Sequence, residues 1–131
     1  MKKRRLWFIV IIVILAIAGF VMLLRSSEDS WVKNEQGVYV EHGNPAETPV
    51  DAAAQQTALN CAYMLYESEK QSGKQLSSQC VGTCGDYAVD IVHDPRTEED
   101  NLAENQCQEY RAGEVKHFIE MDKDGNIVRM G

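Results

Sequence analysis

Residues Leu6 to Leu24, LWFIVIIVILAIAGFVMLL, form an unbroken run without a charged side chain, directly behind Lys2, Lys3, Arg4 and Arg5. At ~1.5 Å of rise per residue the run makes a helix just under ~30 Å long, the hydrocarbon thickness of a bilayer. Apolar on every side, it cannot present a polar face to water while covering a core with another. The expectation is a single transmembrane anchor at residues 6–24, with the lipid bilayer as its partner.

Cytoplasmic flanks retain Lys and Arg, so the basic residues 1–5 are expected inside and the remainder exported. Arg25 is the only basic residue close behind the run, and residues 26–131 hold 8 Lys and Arg against 20 Asp and Glu, a net of −12. Trp7 and Phe8 stand at the inner end, where amphipathic rings settle at headgroup depth. Ala16-Ile17-Ala18 fits a small-x-small cleavage pattern, but the apolar run continues from Gly19 to Leu24, which favours an uncleaved anchor. The first cysteine is Cys61, so no thiol lies near the end of the run to take a lipid. Whether cleaved or retained, the segment predicts export.

About 105 residues remain, enough for one domain and too few for two well-packed cores. The chain is expected to divide into a cytoplasmic basic flank (1–5), the anchor (6–24), a juxtamembrane linker with a short hairpin (25–47) and an extracytoplasmic α+β domain (48–131). Its acidity disfavours nucleic acid, whose binding needs Lys and Arg to release counterions, and anionic lipid headgroups. Cys61, Cys80, Cys84 and Cys107 all lie in the exported part, and an even count in an oxidising compartment reads as two disulfides. Bridges tying Cys61 and Cys107 separately to a Cys80/Cys84 loop are favoured over the other connectivities, because they staple two helices to one loop.

Trp31-Val32-Lys33 and Val38-Tyr39-Val40 flank a turn at Asn34–Gly37 and suggest a hairpin, with Trp31 and Tyr39 able to pair across it. Thr48-Pro49-Val50-Asp51 reads as a capped helix start, Thr48 capping and Pro49 in the first helical position. The helix should run to about Ser72, with Gly73 ending it and with Val50, Ala54, Ala58, Cys61, Leu65 and Ser68 along its buried stripe, widened by Leu59, Ala62 and Tyr66. Two glycines make Cys80–Gly85 a pinned loop. Tyr87–Val92 alternates as a central strand, Thr97 and Asp100 open a second helix reaching about Arg111, and Val115–Met121 with Ile127–Met130 form a hairpin. The predicted fold is α+β: a single N-terminal transmembrane helix, then a small disulfide-stabilised domain with two helices packed on one face of a short antiparallel sheet.

No catalytic, cofactor or metal motif stands out, so no cofactor is expected. Asp122-x-Asp124-Gly125-Asn126 lacks the sixth-position Gly and twelfth-position Glu of a calcium loop and reads as a turn. The C-x18-C-x3-C-x22-C spacing lacks the two close pairs of a zinc ribbon. No Asn-x-Ser/Thr acceptor occurs. His42 and His117 pair with no cysteine in a protease pattern. The densest set of capable side chains is His93, Asp94, Arg96, Glu98, Glu99 and Asp100, a strand end followed by a turn and a helix start, the setting in which loops carry binding residues. The chain is therefore expected to be a non-enzymatic binding or interaction domain at the envelope or cell surface, for an unknown protein or small ligand. The alternative is a membrane-anchored thiol–disulfide oxidoreductase using Cys80 and Cys84.

Overall fold

The computed structural model describes residues 2–26 and 29–131. Helix α1 (Lys2–Ser26) takes in the apolar run and its basic flank, and is long and apolar enough to cross a membrane. Its described side chains over residues 3–23 are not buried, and those such as Trp7, Phe8 and Leu15 are about two-thirds exposed. The expected polar linker Arg25–Ser30 includes positions 27 and 28, which lie outside the described residues.

The expected first hairpin is present as β1 (Ser30–Lys33) and β2 (Tyr39–His42), antiparallel. Its register sets Trp31 against Glu41 and Lys33 against Tyr39, so the anticipated Trp31–Tyr39 pair is replaced by the Lys33 ammonium 5.0 Å from the centre of the Tyr39 ring. Helix α2 (Val50–Gln71) follows. Pro49, rather than Thr48, occupies the capping position, and no side chain caps the helix there. Gly73 (φ +75°) ends it as anticipated.

The buried face of α2 is turned from the one the spacing suggested. Ala52, Gln55, Ala58, Leu59, Ala62 and Tyr66 are buried, whereas Val50 is 83% exposed and Ala54 is also outside. Gln55 explains the rotation. Its side chain accepts from the Tyr39 N–H (2.6 Å) and donates to the Gly37 carbonyl (3.0 Å), and Gln56 donates to the Tyr39 carbonyl. A buried amide with both ends satisfied ties the hairpin to the helix, a polar contact invisible to an apolar-stripe argument.

The remaining strands are β3 (Gln79–Cys84), β4 (Tyr87–Ile91), β5 (His117–Met121) and β6 (Ile127–Met130), ordered β3-β4-β5-β6. The expected loop at Cys80–Gly85 is thus mostly a strand. Gly82 (φ +140°) sits where the β3–β4 register shifts, with Leu65 against it, so this glycine marks a bulge rather than the end of pairing. The sheet is mixed, not purely antiparallel, because β4 and β5 run parallel. That parallel pair needs a crossover, and residues 92–116 supply it.

The crossover is not the predicted continuous helix. It contains two 3-10 turns, Glu98–Asn101 and Ala103–Asn105, and a single helical turn, α3 (Gln108–Arg111). Nor does it join α2. The core of α2 packs on Val89, Ile91, Ile119 and Met121, whereas Cys107 and Val115 pack on Ala88 from the opposite face. Alternation along β4 then explains why Ala88, Val89, Asp90 and Ile91 are all buried: both faces of this strand are covered. Burying each large aliphatic side chain contributes roughly 1.5–3 kcal/mol.

Disulfides join Cys61 to Cys84 and Cys80 to Cys107, leaving no free cysteine. Each bridge runs from the Cys80/Cys84 segment to a different layer, α2 on one face and the crossover on the other, in agreement with the favoured connectivity.

Candidate functional site

After β4 the chain passes Val92 and turns at Asp94-Pro95, joined by a cis peptide bond. The turn is organised from within by Asp100, which is 2% exposed. Its carboxylate accepts from the backbone N–H groups of His93 (3.1 Å) and Thr97 (2.7 Å), from the Thr97 hydroxyl (3.2 Å) and from His93 Nδ1 (3.0 Å). The Thr97–Asp100 capping box anticipated from the sequence forms, although it opens a 3-10 turn. Burial alone pushes the Asp100 carboxyl up, but these hydrogen bonds outweigh it and hold the group down at about 2. The buried Ser78 hydroxyl adds to the lowering without reaching hydrogen-bonding geometry.

The Nδ1 edge of the His93 ring faces Asp100 and lies 3.1 Å from the Thr97 hydroxyl, so Nε2 is on the opposite edge. The ring is about one-third exposed and lines a groove of about 520 Å³ with Leu76, Ser77, Asp94 and Thr97. Of the six residues expected to share a surface, the structure brings His93, Arg96 and Asp100 together, and Asp100 is internal scaffold rather than surface. Asp94, Glu98 and Glu99 are exposed.

Arg96 leads from this turn to a second group that the sequence reading did not single out. Cys80, Asp90, Glu120 and Arg129 stand side by side in register across all four strands. They lie on the face away from α2, under the crossover. Glu120, 6% exposed, accepts from Arg129 Nε and Nη2 (3.1 Å each) and pairs with Arg96 Nη1. Arg96 also donates to the Asp100 carbonyl (3.0 Å) and to the Asn101 side chain (3.2 Å). The Arg129 guanidinium lies 4.8 Å from the centre of the Phe118 ring, and Tyr110 meets that ring edge-on.

Asp90 is the least satisfied member, with the Cys107 N–H (3.1 Å) as its hydrogen-bond donor. Burial is the main cause raising its carboxyl to about 6; the Cys107 N–H and Arg96 oppose that rise, and neighbouring Glu120 adds to it. Asp90, Arg96, Glu120 and Arg129 border a cavity of about 100 Å³, room for a few waters or one very small polar ligand. The described residues lining it include no Ser, Thr or free thiol, so it offers charge and hydrogen bonds rather than a nucleophile. One signal was available in the sequence. YAVDI and HFIEM each carry an acid at the fourth position of an alternating strand, which in-register pairing sets side by side.

Cys80, Cys107 and Glu109 bring ligand-type atoms within 4.8 Å of one another, but both sulfurs are bridged and offer no thiolate. Asp122 turns its carboxylate onto the Asp124 and Asn126 N–H groups and the Asn126 amide, an arrangement that keeps it below its ordinary range despite burial. Cys80 and Cys84 are not bonded to each other, and Cys84 is 3% exposed. Exchange chemistry needs an accessible pair that can cycle, so this arrangement lends the redox reading no support. No protein-family model, curated protein or solved structure matches this chain.

Proposed function

We propose that the chain is a single-pass membrane protein with a cytoplasmic N-terminus, which displays a rigid, disulfide-bonded binding domain on the extracytoplasmic side. The observation that supports this reading is that the described large apolar side chains of α1 are exposed and take no part in the core that α2 and the four-stranded sheet form. More than a dozen large apolar side chains on one helix need an apolar solvent, and a bilayer is the solvent of matching thickness. Two buried-end disulfides on the other side of that helix fit an oxidising compartment. The domain acts by binding rather than by turnover: buried Glu120 is committed to Arg96 and Arg129, and the His93 Nδ1 edge is taken up by Asp100 and the Thr97 hydroxyl, itself tied to the same carboxylate.

The reading is tested by fractionating cells that express the full chain, washing the membranes with alkaline carbonate and mapping disulfides in the pellet. Retention in the washed pellet, with peptides linked Cys61–Cys84 and Cys80–Cys107, is the expected result. Release into the wash, or reduced cysteines in the native chain, would contradict it.

A further inference from the structure

A separate cleft, away from His93 and Glu120, has the makings of a ligand site. A cavity of about 290 Å³ is bordered by Lys33, Tyr39, Asp51, Asp86, Tyr87 and His117. A second cavity, about 480 Å³ and largely apolar, adjoins it and shares Ala54, Asp86 and Tyr87 with it. Thr57, Ala58, Gly85 and the Cys61–Cys84 bridge continue the apolar half. The small residues that the α2 spacing marked for the core at Ala54, Ala58 and Cys61 therefore border a cleft with room beside them.

The two halves differ in chemistry. In the polar half, Asp51 has no side-chain hydrogen bond or ion pair among the described residues. Asp86 accepts the Lys116 N–H (3.0 Å) with one oxygen and keeps the other 3.9 Å from His117 Nε2, with about half its side chain exposed. Tyr87 stacks on His117 at 4.9 Å. Burial first, then Asp51, Tyr39 and Asp86, raise the Tyr87 hydroxyl above its ordinary value, which marks a locally anionic setting. Among the described residues lining the cavity, the one Lys or Arg is Lys33, seated over the Tyr39 ring. An anionic ligand would meet two carboxylates, whereas a cation gains both of them against the single opposing charge of Lys33, which is already drawn to the Tyr39 ring.

We propose that this cleft binds a small alkylammonium ligand, its charged head among Asp51, Asp86, Tyr39 and Tyr87 and its aliphatic tail along Ala54, Ala58 and the Cys61–Cys84 bridge. The site needs no membrane contact and stands independently of the tethered-domain reading. Its geometry is held by Gln55, which pins the hairpin carrying Tyr39 to the helix carrying Asp51. A preformed site of this kind loses little entropy on binding.

The test titrates the full chain in maltoside micelles with butylammonium, 1-butanol and butyrate, following backbone amide shifts of residues 54–58 and 84–87. Butylammonium is expected to bind about tenfold tighter than either of the others, the combined scale of two surface ion pairs. Asp51→Asn with Asp86→Asn should remove that advantage, since Asn at 86 can still accept the Lys116 N–H while the charge is lost. Asp51→Asn alone, at a side chain without partners, should weaken binding about threefold, and it serves where the double variant fails to fold. Glu98→Gln with Glu99→Gln, an equal change of net charge elsewhere, should leave affinity unchanged. Equal binding of butylammonium and butanol, or equal weakening by the remote pair of substitutions, would overturn the proposal.

Discussion

Replacing Asp100 by Ala should destabilise the domain by about 3 kcal/mol. The carboxylate serves four donors at once, and its own side chain has no exposure. Two of those donors, the His93 ring and the Thr97 hydroxyl, can turn to water when the acceptor is removed. The other two are the part-buried backbone N–H groups of His93 and Thr97, which cannot move without opening the turn. Each stranded amide costs roughly 1–3 kcal/mol, and together they set the scale. Equilibrium urea unfolding of the full chain in micelles, read by near-ultraviolet circular dichroism, measures the difference. The pH dependence gives an internal check. The Asp100 carboxyl lies at about 2 in the fold against an ordinary 3.8, so its stabilisation is complete above 3.8 and is lost as pH falls towards 2. The gap between wild type and Asp100→Ala should therefore narrow across that window. A variant within about 0.5 kcal/mol of wild type at neutral pH would refute the view that Asp100 holds the turn.

Asp90→Asn should stabilise the domain by about 1–2 kcal/mol at pH 8 and by progressively less as pH falls from about 6 towards 3.8, because the wild-type carboxyl takes up its proton more readily in the fold than outside it; parallel urea titrations at pH 8 and pH 5 check the sign. Removing the Cys80–Cys107 bridge as a double Ala variant opens a loop with a sequence separation of 27 and should cost about 3.5 kcal/mol, measured as a fall in the urea midpoint. Gly37→Ala should lower stability by roughly 2 kcal/mol or more, since φ is +81° and an added Cβ would lie 2.5 Å from the Met130 carbonyl oxygen; the readout is the melting temperature together with loss of protection at the Met130 amide, which donates to the Gln36 carbonyl.

What the sequence disclosed follows from the range of the forces involved. Local periodicity and turn chemistry are written in neighbouring residues, and so the first hairpin, α2, β4 and the C-terminal hairpin are legible within a few positions. The Asp122 turn is equally local: its carboxylate closes on Asp124 and Asn126 only two and four residues away. Cys80–Gly85 misled because glycine marks both a loop and a strand bulge, and only the pairing of Cys80 with Asp90 and Gly82 with Val89 distinguishes them. The crossover carries a genuine capping box at Thr97 but too thin an apolar face to sustain a helix. Its course is set instead by inward ties from Asp100 to His93, from Cys107 to Asp90 and through the bridge to Cys80. The α2 stripe was displaced by Gln55, whose partners lie more than fifteen residues away on the hairpin.

The candidate site divides along the same line. His93, Arg96 and Asp100 are close in sequence and were visible as a cluster. Their arrangement into buried acceptor, oriented ring and inward-reaching guanidinium required the fold. Asp90, Glu120 and Arg129 become neighbours only through the parallel pairing of β4 with β5 and the antiparallel pairing of β5 with β6. Parallel pairing has no turn to announce it, and the identical placement of the two acids in YAVDI and HFIEM is the one trace it leaves in the sequence.

The proposed topology, a tethered domain outside and a basic N-terminus inside, can be read from protease treatment of sealed, right-side-out membranes bearing the full chain tagged at each end. Loss of the C-terminal tag from intact vesicles, with the N-terminal tag protected until detergent is added, is the predicted result. Protection of the C-terminal tag, or appearance of the domain in the soluble fraction without α1, would contradict it.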